Sequence, residues 1–210
     1  MQFKVFKDSK DLIEFANKFV IFERLSSLKR DVKYCLKNDC TFPALLYCFS
    51  TIDLLGALYT GYALGSSHTK ENFKNYAVHF LKDSSTKYNS EQVDLLQGIF
   101  RHKIVHLAQP KIVIKNKGRY IAWRYEYPAI KNHLRIESCA CKQTKNLLTP
   151  KTMYYDHIFV ISITKLSSDI IESVTRPSDG YMAKLKKNYK NLQSRFDDAI
   201  YQIYDTEMQD

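Results

Sequence analysis

The sequence predicts a mainly α-helical protein: a helical bundle with a small basic β-hairpin insertion, completed by C-terminal helices. Three observations predict it. Apolar residues recur at helical spacing in four segments before residue 110. The period then shortens over "KIVIKNKGRYIAWRYEY", where β-branched and aromatic residues flank "KNKG". A helical stripe returns near the C-terminus. On this reading residues 1–110 form a four-helix core, 111–150 a basic hairpin insertion, and 151–210 C-terminal helices packed on the same bundle, one domain overall.

Residues 9–37 read as a long helix capped by Asp8 or Ser9, with Leu12, Phe15, Phe19, Phe22 and Leu25 on one stripe. "KNDCTFP" breaks it. Pro43 suits a first turn, and a second helix runs to about Leu64. It is apolar nearly all round and should be central, with Ser50, Gly56, Ala57 and Gly61 letting neighbours approach closely. A third helix, about 70–82, turns Phe73, Tyr76, Ala77 and Phe80 inward. Ser90 opens a fourth, with Glu91 favourable to its dipole, and Pro110 ends it after about Ala108. The hairpin follows, with "NHLRIES" as a candidate third strand and "CKQTKNLLTPKT" as a loop. "YYDHIFVISITKLSSDIIESV" fits strand and helix alike. It is read as a short extended entry and a helix to about Val174. The last helix, about 179–206, carries Tyr181, Leu185, Tyr189, Leu192, Phe196, Ile200 and Ile203 on one face.

The chain of 210 residues is 45% hydrophobic, enough for one sizeable core. Its five cysteines are odd in number and scattered, which predicts reduced thiols in the cytoplasm. Cys139 and Cys141 are too close for a zinc knuckle, so neither a metal nor any other cofactor is expected. No long apolar run is free of polar residues, so no membrane span is expected, and "MQFKVFKDSKD" does not resemble a signal peptide. The net charge is +10, and residues 108–151 hold ten Lys/Arg against only Glu126 and Glu137. Such a concentration favours a polyanion partner, or serves solubility alone as a solvated face.

The fourth helix carries the chemistry. On a wheel of ~100° per residue, Val93, Leu96, Phe100, Ile104 and Leu107 make the core stripe. Leu95, Ile99, His102 and His106 lie nearly opposite, while Asp94, Gln97 and Arg101 occupy one flank. The second apolar face is covered either by the chain's own helices or by a second copy. Periodicity does not decide between them. Gly98 in mid-helix suggests a close backbone approach. His102 and His106 share a face, as packed histidines would and as a catalytic pair would. Asp53, a lone carboxylate in an apolar helix, needs a partner: a backbone amide or tyrosine, or a functional cation behind which it sits.

"RHKIVH", from Arg101 to His106 at the end of a fourth amphipathic helix, resembles the motif of the HEPN superfamily: Arg, a polar residue, a short gap, then His. The context "TIDLLGALYTGY" and the aromatic third helix add to the likeness, which covers roughly residues 10–110. The resemblance implies a metal-independent endoribonuclease acting as a dimer, often in toxin–antitoxin or phage-defence systems with a neutralising or defence partner. It equally implies members that bind RNA or scaffold proteins without cutting.

The residue types fit that chemistry. RNA supplies its 2′-OH as nucleophile. His106 would act as acid or base, Arg101 would stabilise the phosphate, and His102 would orient either. Products would be 2′,3′-cyclic phosphate and 5′-OH ends. The homodimer would form through the Leu95/Ile99/His102/His106 face, Asp53 would support Arg101 or a histidine, and Lys111, Lys115, Lys117, Arg119 and Arg124 would hold RNA. Tyr120, Trp123, Tyr125 and Tyr127 are expected mainly to pack the hairpin on the bundle. A salt-sensitive binding protein and an inert helical scaffold are the competing readings.

Overall fold

Asp8 starts the first helix, accepting from Lys10 N at 2.8 Å and Asp11 N at 2.9 Å. The computed structural model describes residues 4–63, 66–81, 88–101, 111–145 and 152–207, with backbone only for 66–70, 100, 101, 145 and 205–207. Helix α1 (Ser9–Ala16) passes through π-type turns (Asn17–Leu25) into α2 (Ser26–Lys37). Helix α3 (Thr41–Thr60) ends at Gly61, whose φ of 87° lets its N–H reach back to Ala57 O at 2.8 Å. Helix α4 (Ser66–Phe80) begins some four residues before the expected start, and α5 (Ser90–Leu96) continues as π-type turns (Gln97–Arg101).

Four strands follow: β1 (Ile114–Asn116), β2 (Arg119–Glu126), β3 (Ile136–Lys145) and β4 (Thr152–Ser162). Their order is β1-β2-β4-β3. The hairpin β1–β2 turns at Lys117 and Gly118, both with positive φ, as a tight two-residue turn requires. Strand β4 lies parallel to β2 and antiparallel to β3, so it is a central strand. It runs directly into α6 (Ile163–Thr175), whose cap Ser162 accepts from Lys165 N at 3.2 Å. Helix α7 (Tyr181–Lys186), a 3₁₀ turn (Tyr189–Asn191) and α8 (Leu192–Glu207) complete the chain.

This corrects the expected fold class. The described residues are 61% helical and 18% strand in a four-stranded mixed sheet, an α/β architecture rather than a mainly α bundle with a hairpin insertion. The physical reason is β4. Residues Phe159–Ser162 are buried on both faces of the sheet, so they show no alternation and merge by sequence into the helix that follows. The single C-terminal helix is also corrected. Asn188, Lys190 and Asn191 take positive φ and break it, exposing Tyr189.

Helix α3 is the centre of the core, packed by α2, α4, α6 and α8. Among the described residues it is the one helix with the length and mean hydropathy, 1.5, of a membrane span, and 56% of that window is buried inside the chain. It therefore reads as the core helix that its all-round apolarity predicted. At Gly56 a Cβ would overlap the Asn72 carbonyl, so glycine is what lets α3 and α4 touch. Asn72, itself buried, donates to Tyr62 O at 2.7 Å and clamps the α3–α4 connection.

Candidate nucleic-acid interface

The α5 helix is fastened to the sheet along its length. Asn89, one residue before the expected cap, forms a capping box with Gln92. Gln92 Nε2 also donates to Leu134 O at 2.9 Å, in the loop before β3. Glu91 accepts from Arg119 and lies 3.5 Å from Lys117 Nζ, both at the hairpin turn. At the other end Lys111 N donates to Ile99 O at 2.9 Å, and Trp123 Nε1 donates to Lys111 O at 2.8 Å. Strand β1 thus runs alongside the helix that carries Arg101, in the opposite direction. Trp123 adds an edge contact to Phe42 on α3, with centroids 6.3 Å apart.

A buried polar node braces the start of α5. Ser162 N donates to His133 Nδ1 at 3.0 Å, which leaves the ring proton on Nε2, facing the Tyr88 oxygen at 2.9 Å. Tyr88 O–H donates to Asp169 at 2.8 Å, and Lys165 Nζ reaches the other carboxylate oxygen. The chemistry resembles a catalytic relay, but the His133 and Asp169 side chains are 0% and 2% exposed. No substrate reaches them, so the node is structural.

The candidate site residues separate clearly. Arg101 is the last described residue of the helical segment, and only by its backbone. Its side chain, with His102 and His106, lies outside the described residues. Asp53 is half-buried on α3. Leu95 and Ile99 are completely buried within the chain, so that portion of the expected dimer face is covered by the protein's own elements. Near Gly98, the described neighbour is a side-chain atom, Ile114 Cδ1, at 3.9 Å from an added Cβ. This is ordinary contact rather than the close backbone approach expected.

Of the expected RNA contacts, Lys111 and Lys115 are exposed, and Lys117 is exposed although Glu91 is near. Arg119 is committed to Glu91, and Arg124 to Glu126 at 3.1 Å and Glu137 at 3.0 Å. The aromatics reverse the expected emphasis. Trp123 packs, but Tyr120, Tyr125 and Tyr127 are exposed, as is Tyr154 on β4, which sequence reasoning did not single out. Its signal was the short alternation within "TMYYDH", hidden by the apolar run behind it.

The Asp156 carboxyl is held below its ordinary pKa, chiefly by the hydrogen bond from His157 and also by Tyr120 N–H. Burial pushes the Cys48 thiol well up, so it is a packing group and not a nucleophile. No cluster of three or more metal-ligating side chains occurs among the described residues.

Fold and surface together define an α/β protein with a basic, tyrosine-bearing sheet braced against α5. Comparison with protein-family models, curated proteins and solved structures gives no match.

Proposed function

We propose that the protein is an RNA-directed enzyme, a metal-independent endoribonuclease of HEPN type. The observation that carries the reading is the tie between Lys111 N and Ile99 O. It fixes the exposed Lys111, where the hairpin begins, against Ile99, two residues along the chain from Arg101, while Lys117 lies at the Glu91 end of α5. In this reading the hairpin lysines draw in the backbone, Arg101 offers its planar fork to phosphate oxygens, and His106 moves the proton of the 2′-OH or of the leaving 5′-oxygen. His102 orients the phosphate. Because Leu95 and Ile99 are spent in the core, the seam between two copies would be left to residues beyond Ile99. A neutralising or defence partner would compete for the same basic face in the cytoplasm.

The test is incubation of purified protein with single-stranded RNA in EDTA. Wild type should release fragments ending in 2′,3′-cyclic phosphate, while His106→Ala should lose about 10²–10⁴ in rate. Equal cleavage by His106→Ala would remove the assignment. RNA retention without products from wild type would leave the second reading, a binding module, which the exposed lysines and tyrosines favour.

A further inference from the structure

We propose that the open end of the sheet is a base-stacking platform for single-stranded RNA, with Tyr120 and Tyr154 as the stacking residues and Lys115 as the phosphate contact; this rests on the RNA-directed reading above. The register places the three together. Ile121 pairs with His157 in the parallel β2–β4 pair, so Tyr120 stands beside Asp156, and Tyr154 shares the face of Asp156 two residues earlier. From the strand spacing and rise, the two tyrosines are roughly 8 Å apart, within reach of neighbouring splayed bases. Lys115 is the cross-strand partner of Tyr120 in β1, and its Nζ lies 5.5 Å from that ring centroid.

The rings are open to solvent. Tyr120 and Tyr154 are 45% and 53% exposed, whereas the core tyrosines Tyr76 and Tyr181 are fully buried. Together with Ile114, Lys115, Thr152 and Met153 they line a shallow cavity of about 480 Å³. Two large rings on adjacent central strands, left uncovered, represent apolar area that a folded chain normally hides. The Tyr120 backbone is also fixed: its N–H donates to Asp156 at 3.0 Å, and Asp156 is held by His157 at 2.7 Å. That bond also engages the Asp156 carboxylate, which would otherwise repel phosphate. Charge selects the occupant. The surrounding segment, residues 108–151, carries ten Lys/Arg against two Glu, so a polyanion is attracted. Rings select among polyanions, since stacking needs unpaired base faces that a duplex or an acidic protein does not offer.

The test measures binding of a labelled mixed-sequence RNA of about 12 nucleotides, single-stranded and as its duplex, with His106→Ala as the parent of every variant to prevent cutting and wild type run beside it to read cleavage. Tyr120→Ala and Tyr154→Ala should each weaken single-strand binding about five- to hundredfold while leaving duplex binding nearly unchanged. Tyr→Phe at either site should stay within about twofold, because the ring is kept. Alanine variants that bind single strands like their parent overturn the platform, as does equal loss on both RNA forms. Weakening by Lys115→Glu with no effect of the alanines would show a charge-only surface and also overturn it. Failure of the parent to bind any RNA overturns both proposals. Binding without cleavage by wild type overturns the nuclease alone.

Discussion

Replacing Tyr88 by phenylalanine isolates the node that braces α5. The substitution keeps the ring and deletes one oxygen, so it leaves almost no cavity. That oxygen lies 2.9 Å from His133 Nε2 and donates to Asp169 at 2.8 Å, where the carboxylate side chain is only 2% exposed. A hydrogen bond to a charged group is worth about 1.5–3 kcal/mol and one to a neutral group about 0.5–1.5 kcal/mol. Losing both should cost roughly 2–4 kcal/mol, a large part of the ~5–15 kcal/mol that holds a domain folded. For a chain of this size the melting temperature should fall by roughly 5–15 °C. Thermal unfolding by circular dichroism and the urea midpoint would measure it, with the urea slope unchanged. The double variant Tyr88→Phe/Asp169→Asn should fall short of additivity by more than about 0.5 kcal/mol. A Tyr88→Phe protein melting within about 2 °C of wild type would refute the reasoning, since the node would then contribute nothing to stability.

Other perturbations test separate parts. Gly56→Ala drives a methyl into the Asn72 carbonyl and should cost about 1–3 kcal/mol by separating α3 from α4, measured by urea unfolding. The Asp8 carboxyl is held below its ordinary value mainly by the Asp11 N–H, so its folded pKa lies under the unfolded one. Its contribution is present above the unfolded pKa and lost as pH falls through the folded one. Asp8→Ala should therefore lower the melting temperature at neutral pH, and its difference from wild type should shrink as pH falls below the unfolded pKa. The pair Lys111→Glu and Lys115→Glu should weaken RNA retention and reduce the slope of log K against log salt by about 0.7 for each lost phosphate contact, read by titration at several salt concentrations.

The helical half was legible because each helix has one dry face or, in α3, apolar residues nearly all round. Phe73, Tyr76, Ala77 and Phe80 are all fully buried, as their spacing required. Asp8 caps where a small polar residue should, but the second helix stops at Thr60, short of the expected Leu64, because Gly61 takes a left-handed φ and closes it. The sheet was only half legible, for two opposite reasons. Strand β3, "IESCACKQTK", sits at an edge and is largely exposed, so it offers no apolar stripe to read. Strand β4 is dry on both faces at its end, so its period of two vanishes into the helix it feeds. A parallel partnership between β2 and β4, across the intervening β3, is a tertiary event. No local pattern announces it.

The candidate site shows why charge and aromaticity must be read together with register. In the linear chain Arg119 and Arg124 look equivalent to Lys111 and Lys115. Folding brings Glu91 from α5 to the first and Glu137 from β3 to the second, and both become braces rather than RNA contacts. The Arg119 pair fastens the hairpin to α5, so its guanidinium acts by holding position. Glu91→Ala should accordingly free two cations yet lower any RNA cleavage, because the hairpin would lose its register on α5. A more basic surface that cuts more slowly would separate positioning from attraction. If Glu91→Ala instead raised both binding and cleavage, charge alone would govern this face, and the brace assigned to Arg119 would be wrong.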